Sequence, residues 1–124
     1  QEHLLQINPF IKLKIDCLRL NADNMADIFA EDDIICEALD AAESKALLVN
    51  TIMTSYEDKK IVAASGMAGL GSANDITTRK LNNRLYICGD GKSDCADMSL
   101  TAARAAICAG HQAQTVCRII LGLE

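Results

Sequence analysis

Between Ile11 and Cys17 the chain alternates, with Ile11, Leu13, Ile15 and Cys17 set against Lys12, Lys14 and Asp16. A period of two is that of a strand with one wet face, and lysines on that face suit a sheet edge. Just before it, "HLLQINP" reads as the last turns of a helix, stopped at Asn8 because Pro9 disfavours helical geometry in the residue ahead of it. The chain is therefore expected to begin inside a larger unit.

Further along, "NADNMADIFAEDD" predicts a short helix capped near Asp23. "DIICEALD" has apolar residues at Ile34, Ile35, Ala38 and Leu39, on both faces, as an inner parallel strand requires, and it ends at Asp40. "AAESKALLVNTIM" then predicts a helix, with Asp40 and Glu43 spaced as a capping box. A buried strand over Lys60 to Ser65 leads into a glycine-rich loop. "ITTRKL" and "RLYIC" flank Asn82-Asn83, residues that tolerate the positive φ of a tight hairpin. After the loop "GDGKSDCADM", Ser99 is placed to cap a long helix running to Leu121, with Gly122 as its stop. That helix is apolar almost all round, so packing on two sides is expected. Strand, helix, strand, helix, strand is the rhythm of a doubly wound α/β sheet.

Three glycines after a strand raise the question of a phosphate cradle. The dinucleotide fingerprint needs its close glycine pair first and a helix opening at the third glycine. In "KIVAASGMAGLGSAND" Gly66, Gly69 and Gly71 run in the opposite order, and "SANDITTRKL" has no helical period. No cradle is expected there.

Composition narrows the classes further. The 124 residues make one domain, long enough to bury a core. Aromatics are only 3% of the chain, so a base-stacking surface is not expected. Net charge is −5 with the bases scattered, which argues against nucleic acid and anionic membranes as partners. There is no basic, apolar leader and no apolar run long enough for a span. Cys17, Cys36, Cys88, Cys95, Cys108 and Cys117 form no Cys-x-x-Cys pair, and a reduced, cytoplasmic protein is the expectation.

The ordered segments "LLQINPFIKL", "DIICEALDAAESKALL", "KIVAASGMAGLGSANDI", "LYICGD" and "ICAGHQAQTVCRIILG" resemble the ThiF/MoeB family of adenylyltransferases, related to the ubiquitin-activating enzymes. The likeness is strongest to short ThiF-like proteins of thiamine biosynthesis. It implies a Rossmann-like α/β fold, of which residues 1–124 match the C-terminal part as a single, partial domain. The βαβ unit with the nucleotide loop would precede this part, and its first strand would lie between "KLKID" and "DIICEAL". The resemblance implies ATP-dependent activation of the C-terminal glycine carboxylate of a ThiS-like sulfur carrier protein. It further implies Mg²⁺ held by an Asp at the end of the strand after "INP", the place Asp40 occupies. A homodimer, closed by exchange of elements, would satisfy the unpaired strands. The alternative function is a non-catalytic module of the same fold that binds a carrier or partner protein.

Asp40 is also a good helix cap, a role compatible with a ligand site at the carboxyl end of a parallel strand. Cys95 lies in a polar loop where a thiolate could accept or relay sulfur, yet the nearest base is Lys92, and an incidental loop thiol is the plainer reading. Cys108 and His111 share a helix face near Cys117, but zinc wants a second ligand pair, so a hydrogen-bonded His111 is expected instead. Asp32 and Asp33 are read as a solvated loop, and Arg79, Lys80 and Arg84 as solubilising charge.

Overall fold

The computed structural model describes every residue from Gln1 to Glu124. Its elements are α1 (Glu2–Ile7), α2 (Met25–Ile28), β1 (Ile34–Cys36), α3 (Ala42–Ser55), β2 (Lys60–Ala64), β3 (Thr77–Lys80), β4 (Leu85–Gly89) and α4 (Ala102–Ile120). The four strands form one sheet in the order β1-β2-β4-β3. β1, β2 and β4 run parallel, and β3 returns antiparallel beside β4. Helices cover both faces, so the expected α/β architecture is present as a small mixed sheet.

Alternation along the inner strands divides the core in two. Val62, Ala64, Tyr86 and Cys88 face α4, where they meet Cys108 and Ile119. Ile61 and Ala63 face the other way, onto Leu48 and Ile52 of α3 and Met25 of α2. β2 is buried on both faces, which is why its sequence reads as a continuous apolar run. Each fully buried aliphatic side chain contributes about 1.5–3 kcal/mol.

Several elements differ from their sequence expectation. Residues 11–17 form no strand, because alternation makes a strand only where a neighbour supplies a hydrogen-bond ladder, and this segment has none. β1 is three residues long, shorter than the expected strand "DIICEALD", and Glu37–Leu39 leave the sheet after Glu37 N–H donates to Val62 O at 2.9 Å. The N-cap of α3 is Ala41, with no side-chain cap; the Asp40 carboxylate instead accepts from its neighbour's amide, Ala41 N–H, at 2.8 Å. α2 is only four residues, its entry turn built by Asn21 and Asn24, each carboxamide accepting the other's amide. No residue other than glycine has positive φ, so the β3–β4 turn works differently from the expected Asn-Asn hairpin. The Asn82 carboxamide oxygen accepts from Arg84 N–H and Leu85 N–H, both at 2.8 Å, and replaces the backbone turn.

The cap of α4 lies two residues later than expected. Thr101, not Ser99, is the N-cap, its hydroxyl accepting from Arg104 N–H at 3.3 Å. The far end matches expectation: Gly122 has φ +67°, Gly122 N–H reaches Ile119 O and Leu123 N–H reaches Arg118 O, a Schellman closure. Only one side of α4 is covered. Arg104, Cys108, Gln112, Thr115 and Ile119 are buried on the sheet, while Ala103, Ala106, Gly110, Ala113 and Cys117 are exposed.

Candidate functional site

The carboxyl ends of β1 and β2 open onto a cavity of about 550 Å³. Ala38, Leu39 and Asp40 reach it from β1, Ala42 and Lys45 from the first turn of α3, and Ala64 to Met67 from the end of β2. Ser93, Asp94, Cys95 and Leu100 close one wall, and Ala105, Ala109 and Gln112 of α4 form the floor. The carboxyl ends of parallel strands are where open α/β sheets bind ligands, because the loops diverge there and helix N-termini point inward.

Asp40 and Cys95, far apart in the sequence, therefore stand on the same cavity. Asp40 is exposed, and its one hydrogen bond to Ala41 leaves most of its lone pairs free. Cys95 is exposed as a free thiol. The other candidates lie elsewhere. His111 Nδ1 is 3.0 Å from Thr78 Oγ1, the hydrogen-bonded histidine expected from the sequence. Cys108 is buried and Cys117 exposed, so the two do not converge with His111. No three potential metal-ligating side chains come together anywhere in the chain. Asp32 and Asp33 have exposed side chains, and their carbonyls are engaged by Lys59 and Lys60.

Arg84 corrects its expected role. Its guanidinium donates to Tyr56 O and Met53 O, satisfying carbonyls at the C-terminus of α3. It is a helix cap, not a surface solubiliser.

A charged pair that the sequence reading missed lies beneath the cavity. The Glu37 side chain is fully buried, and its carboxylate accepts from Lys45 Nζ at 2.9 and 3.2 Å, from Leu39 N–H and from Ala64 N–H. Gln112 Nε2 donates to Glu37 O at 2.7 Å and to Val62 O at 3.3 Å, tying α4 to the strand end. The carboxylate is tolerated in the core because every direction around it supplies a donor. The one trace in the sequence is a single charge inside the apolar run "IICEAL".

The glycine loop has a structural purpose. Gly66 has φ +82°, and a Cβ there would lie 2.1 Å from Asp90 Oδ1 and 2.5 Å from Gly91 N. Gly69 N–H donates to Ser99 O at 2.9 Å, and Ala68 bridges Leu100. The loop after β2 is thus packed along the 90–100 loop. Arg104 binds both: Nη2 to Asp90 Oδ2 at 2.6 Å, Nη1 to Ser72 O at 2.8 Å and Nε to Met67 O at 3.3 Å. Burial alone would raise the Asp90 carboxyl, but amides from Ser93 and Lys92 and the Arg104 charge outweigh it and hold it below its ordinary value.

The family model of the ThiF family matches residues 1–124, the entire chain. No curated protein and no solved structure matches. With a doubly covered, mostly parallel sheet and a cavity at its carboxyl end, the chain belongs to the ThiF family.

Proposed function

We propose that this domain is the C-terminal part of an adenylyltransferase that uses ATP to activate the C-terminal glycine carboxylate of a ThiS-like sulfur carrier protein in thiamine biosynthesis. ThiF membership relates the chain to the E1-like adenylyltransferases. The observation that carries the finer reading is Asp40, a carboxylate with free lone pairs at the mouth of the cavity. Mg²⁺ is ordinarily held by one or two carboxylates together with substrate phosphates and water, and Asp40 fits one such ligand. Bound there, the ion would offset charge growing on the departing pyrophosphate. The carrier's carboxylate oxygen bonds to the α-phosphorus as the bond to pyrophosphate breaks, giving an acyl adenylate. Leu39, Ala64 and Ala105 keep that wall of the cavity apolar, which limits water at an intermediate prone to hydrolysis. Cys95 is the one thiol that lines the same cavity.

A second reading, a non-catalytic module that binds a carrier or partner protein, is favoured by the packed glycine loop and by apolar side chains near the cavity. Leu70 is 91% exposed, Met98 50% and Leu100 53%. Calorimetric titration of Mg-ATP into this chain and into Asp40→Ala separates the two. Binding by the wild type that falls about tenfold or more in the variant supports the enzyme. Binding of a glycine-ended carrier with no nucleotide binding supports the module.

We also propose homodimerisation by exchange. β1 is an edge strand, and since Asp33 O and Glu37 N–H point to β2, the main-chain groups of Ile34 and Cys36 face outward without a ladder. The occupant is segment 11–17 of a second copy, whose Lys12 and Lys14 complement Asp32 and Asp33 at the start of β1.

A further inference from the structure

Arg104 is the only charged residue between Thr101 and Cys117, yet it is 4% exposed. A guanidinium in that setting is retained only if its donors are satisfied, and here three of its nitrogens reach three separate segments of chain. Met67, which accepts from Nε, lines the cavity on one side. Asp90, which accepts from Nη2, passes the restraint to the other side through its second oxygen, which takes Lys92 N–H at 2.8 Å and Ser93 N–H at 2.9 Å. Ser93 also lines the cavity, two residues before Cys95. One side chain in the first turn of α4 thus controls the separation of two loops that have no other charged link.

We infer that Arg104, acting with Asp90, is the positioning residue of this cavity: it fixes the 90–98 loop against the glycine loop and so sets where Ser93, Asp94 and Cys95 stand. It touches no substrate; its effect passes through loop geometry. The fork geometry is essential, since a point charge such as lysine reaches one acceptor well and leaves two carbonyls unserved. Backbone contacts hold the two ends of the loop, with Asp90 N–H to Gly66 O at 2.8 Å and Gly91 N–H to Ser65 O at 3.2 Å at its base and Gly69 N–H to Ser99 O at 2.9 Å beyond its far end, and Arg104 with Asp90 holds the span between them. This inference rests on the cavity being the functional site proposed above.

The test uses the full chain without nucleotide, so that its outcome is independent of whether ATP binds. Arg104→Lys and Asp90→Asn are compared with Ile119→Val, a core trim at the far end of α4 that lowers stability without touching the loops. Two rates are read: iodoacetamide modification of Cys95, normalised to exposed Cys117, and amide exchange at Lys92 and Ser93. Both should rise about tenfold in Arg104→Lys and in Asp90→Asn, the factor that corresponds to losing one charge-assisted hydrogen bond, and stay at wild-type values in Ile119→Val. Wild-type rates in Asp90→Asn, whose isosteric side chain preserves the fold, would overturn the inference, as would an equal rise in Ile119→Val. Loss of Mg-ATP binding with unchanged loop rates counts against positioning alone; altered loop rates in a chain that never binds Mg-ATP leave positioning standing and move the nucleotide site to the preceding part of the domain.

Discussion

Cys108 and Cys95 carry the same thiol in opposite surroundings. Burial pushes Cys108 up to about 11, with neighbouring Cys88 adding to the shift, from an ordinary 9.0. A raised folded-state value means that the stabilisation from keeping the thiol neutral is complete below the unfolded value and disappears as pH rises through the folded one. Urea midpoints should therefore fall between pH 9.0 and about 11, and Cys108→Ala should show a shallower fall over that window; equal slopes would remove the assignment. Lys45 makes the complementary case. Replacing it by methionine leaves the fully buried Glu37 carboxylate without its cation, and such a loss costs about 3 kcal/mol, readable as a lower urea midpoint at unchanged m. An unchanged midpoint would mean that the Leu39 and Ala64 amides alone satisfy Glu37.

Glycines within elements and between them should respond to alanine with opposite signs. Gly110 lies inside α4, exposed, with nothing near the position of a new Cβ, so Gly110→Ala should stabilise by about 1 kcal/mol. Gly66 needs positive φ and has Asp90 and Gly91 where a Cβ would go, so Gly66→Ala should cost about 2–4 kcal/mol. Thermal melts of the two variants should move to either side of wild type, and movement in one direction would refute the loop packing. The same contrast explains what was legible in the sequence. β2, α3 and the Gly122 stop were readable because their signals are local: an apolar run, a run of helix formers, a glycine after the last turn. Asp40 and Cys95 were found as chemistry-bearing residues, but nothing local said that they share a cavity. Arg104 was missed because its partners are remote, Met67 lying 37 residues away, and Glu37 because its burial is set by the return of β2, whose Ala64 amide lies 27 residues on, although its cation Lys45 is only 8 away. Residues 11–17 failed for the converse reason, since their alternation is correct for a strand but says nothing about a partner.

At the scale of the whole molecule the sheet is finished on one side only. β3 closes the far edge as a short strand whose four residues are all exposed, with Arg79 and Lys80 among them, charges that discourage further pairing. β1 has no such protection on its outer edge, and Ile11 and Ile15, on the one segment patterned to cover it, are 41% and 61% exposed. α1 buries no residue, and none of residues 1–19 is buried, so this stretch gains little from the rest of its own chain and loses little by docking elsewhere. If a second copy supplies that strand, sedimentation should show an average mass rising from 13.3 kDa towards twice that value with concentration. Leu13→Pro removes a ladder donor from the middle of the segment and should hold the protein at the monomer mass. A wild type that stays at 13.3 kDa across the whole range would sink the exchange. A wild type and a proline variant that associate equally would move the contact to the uncovered face of α4, where Ala103, Ala106, Gly110 and Ala113 allow close helix approach.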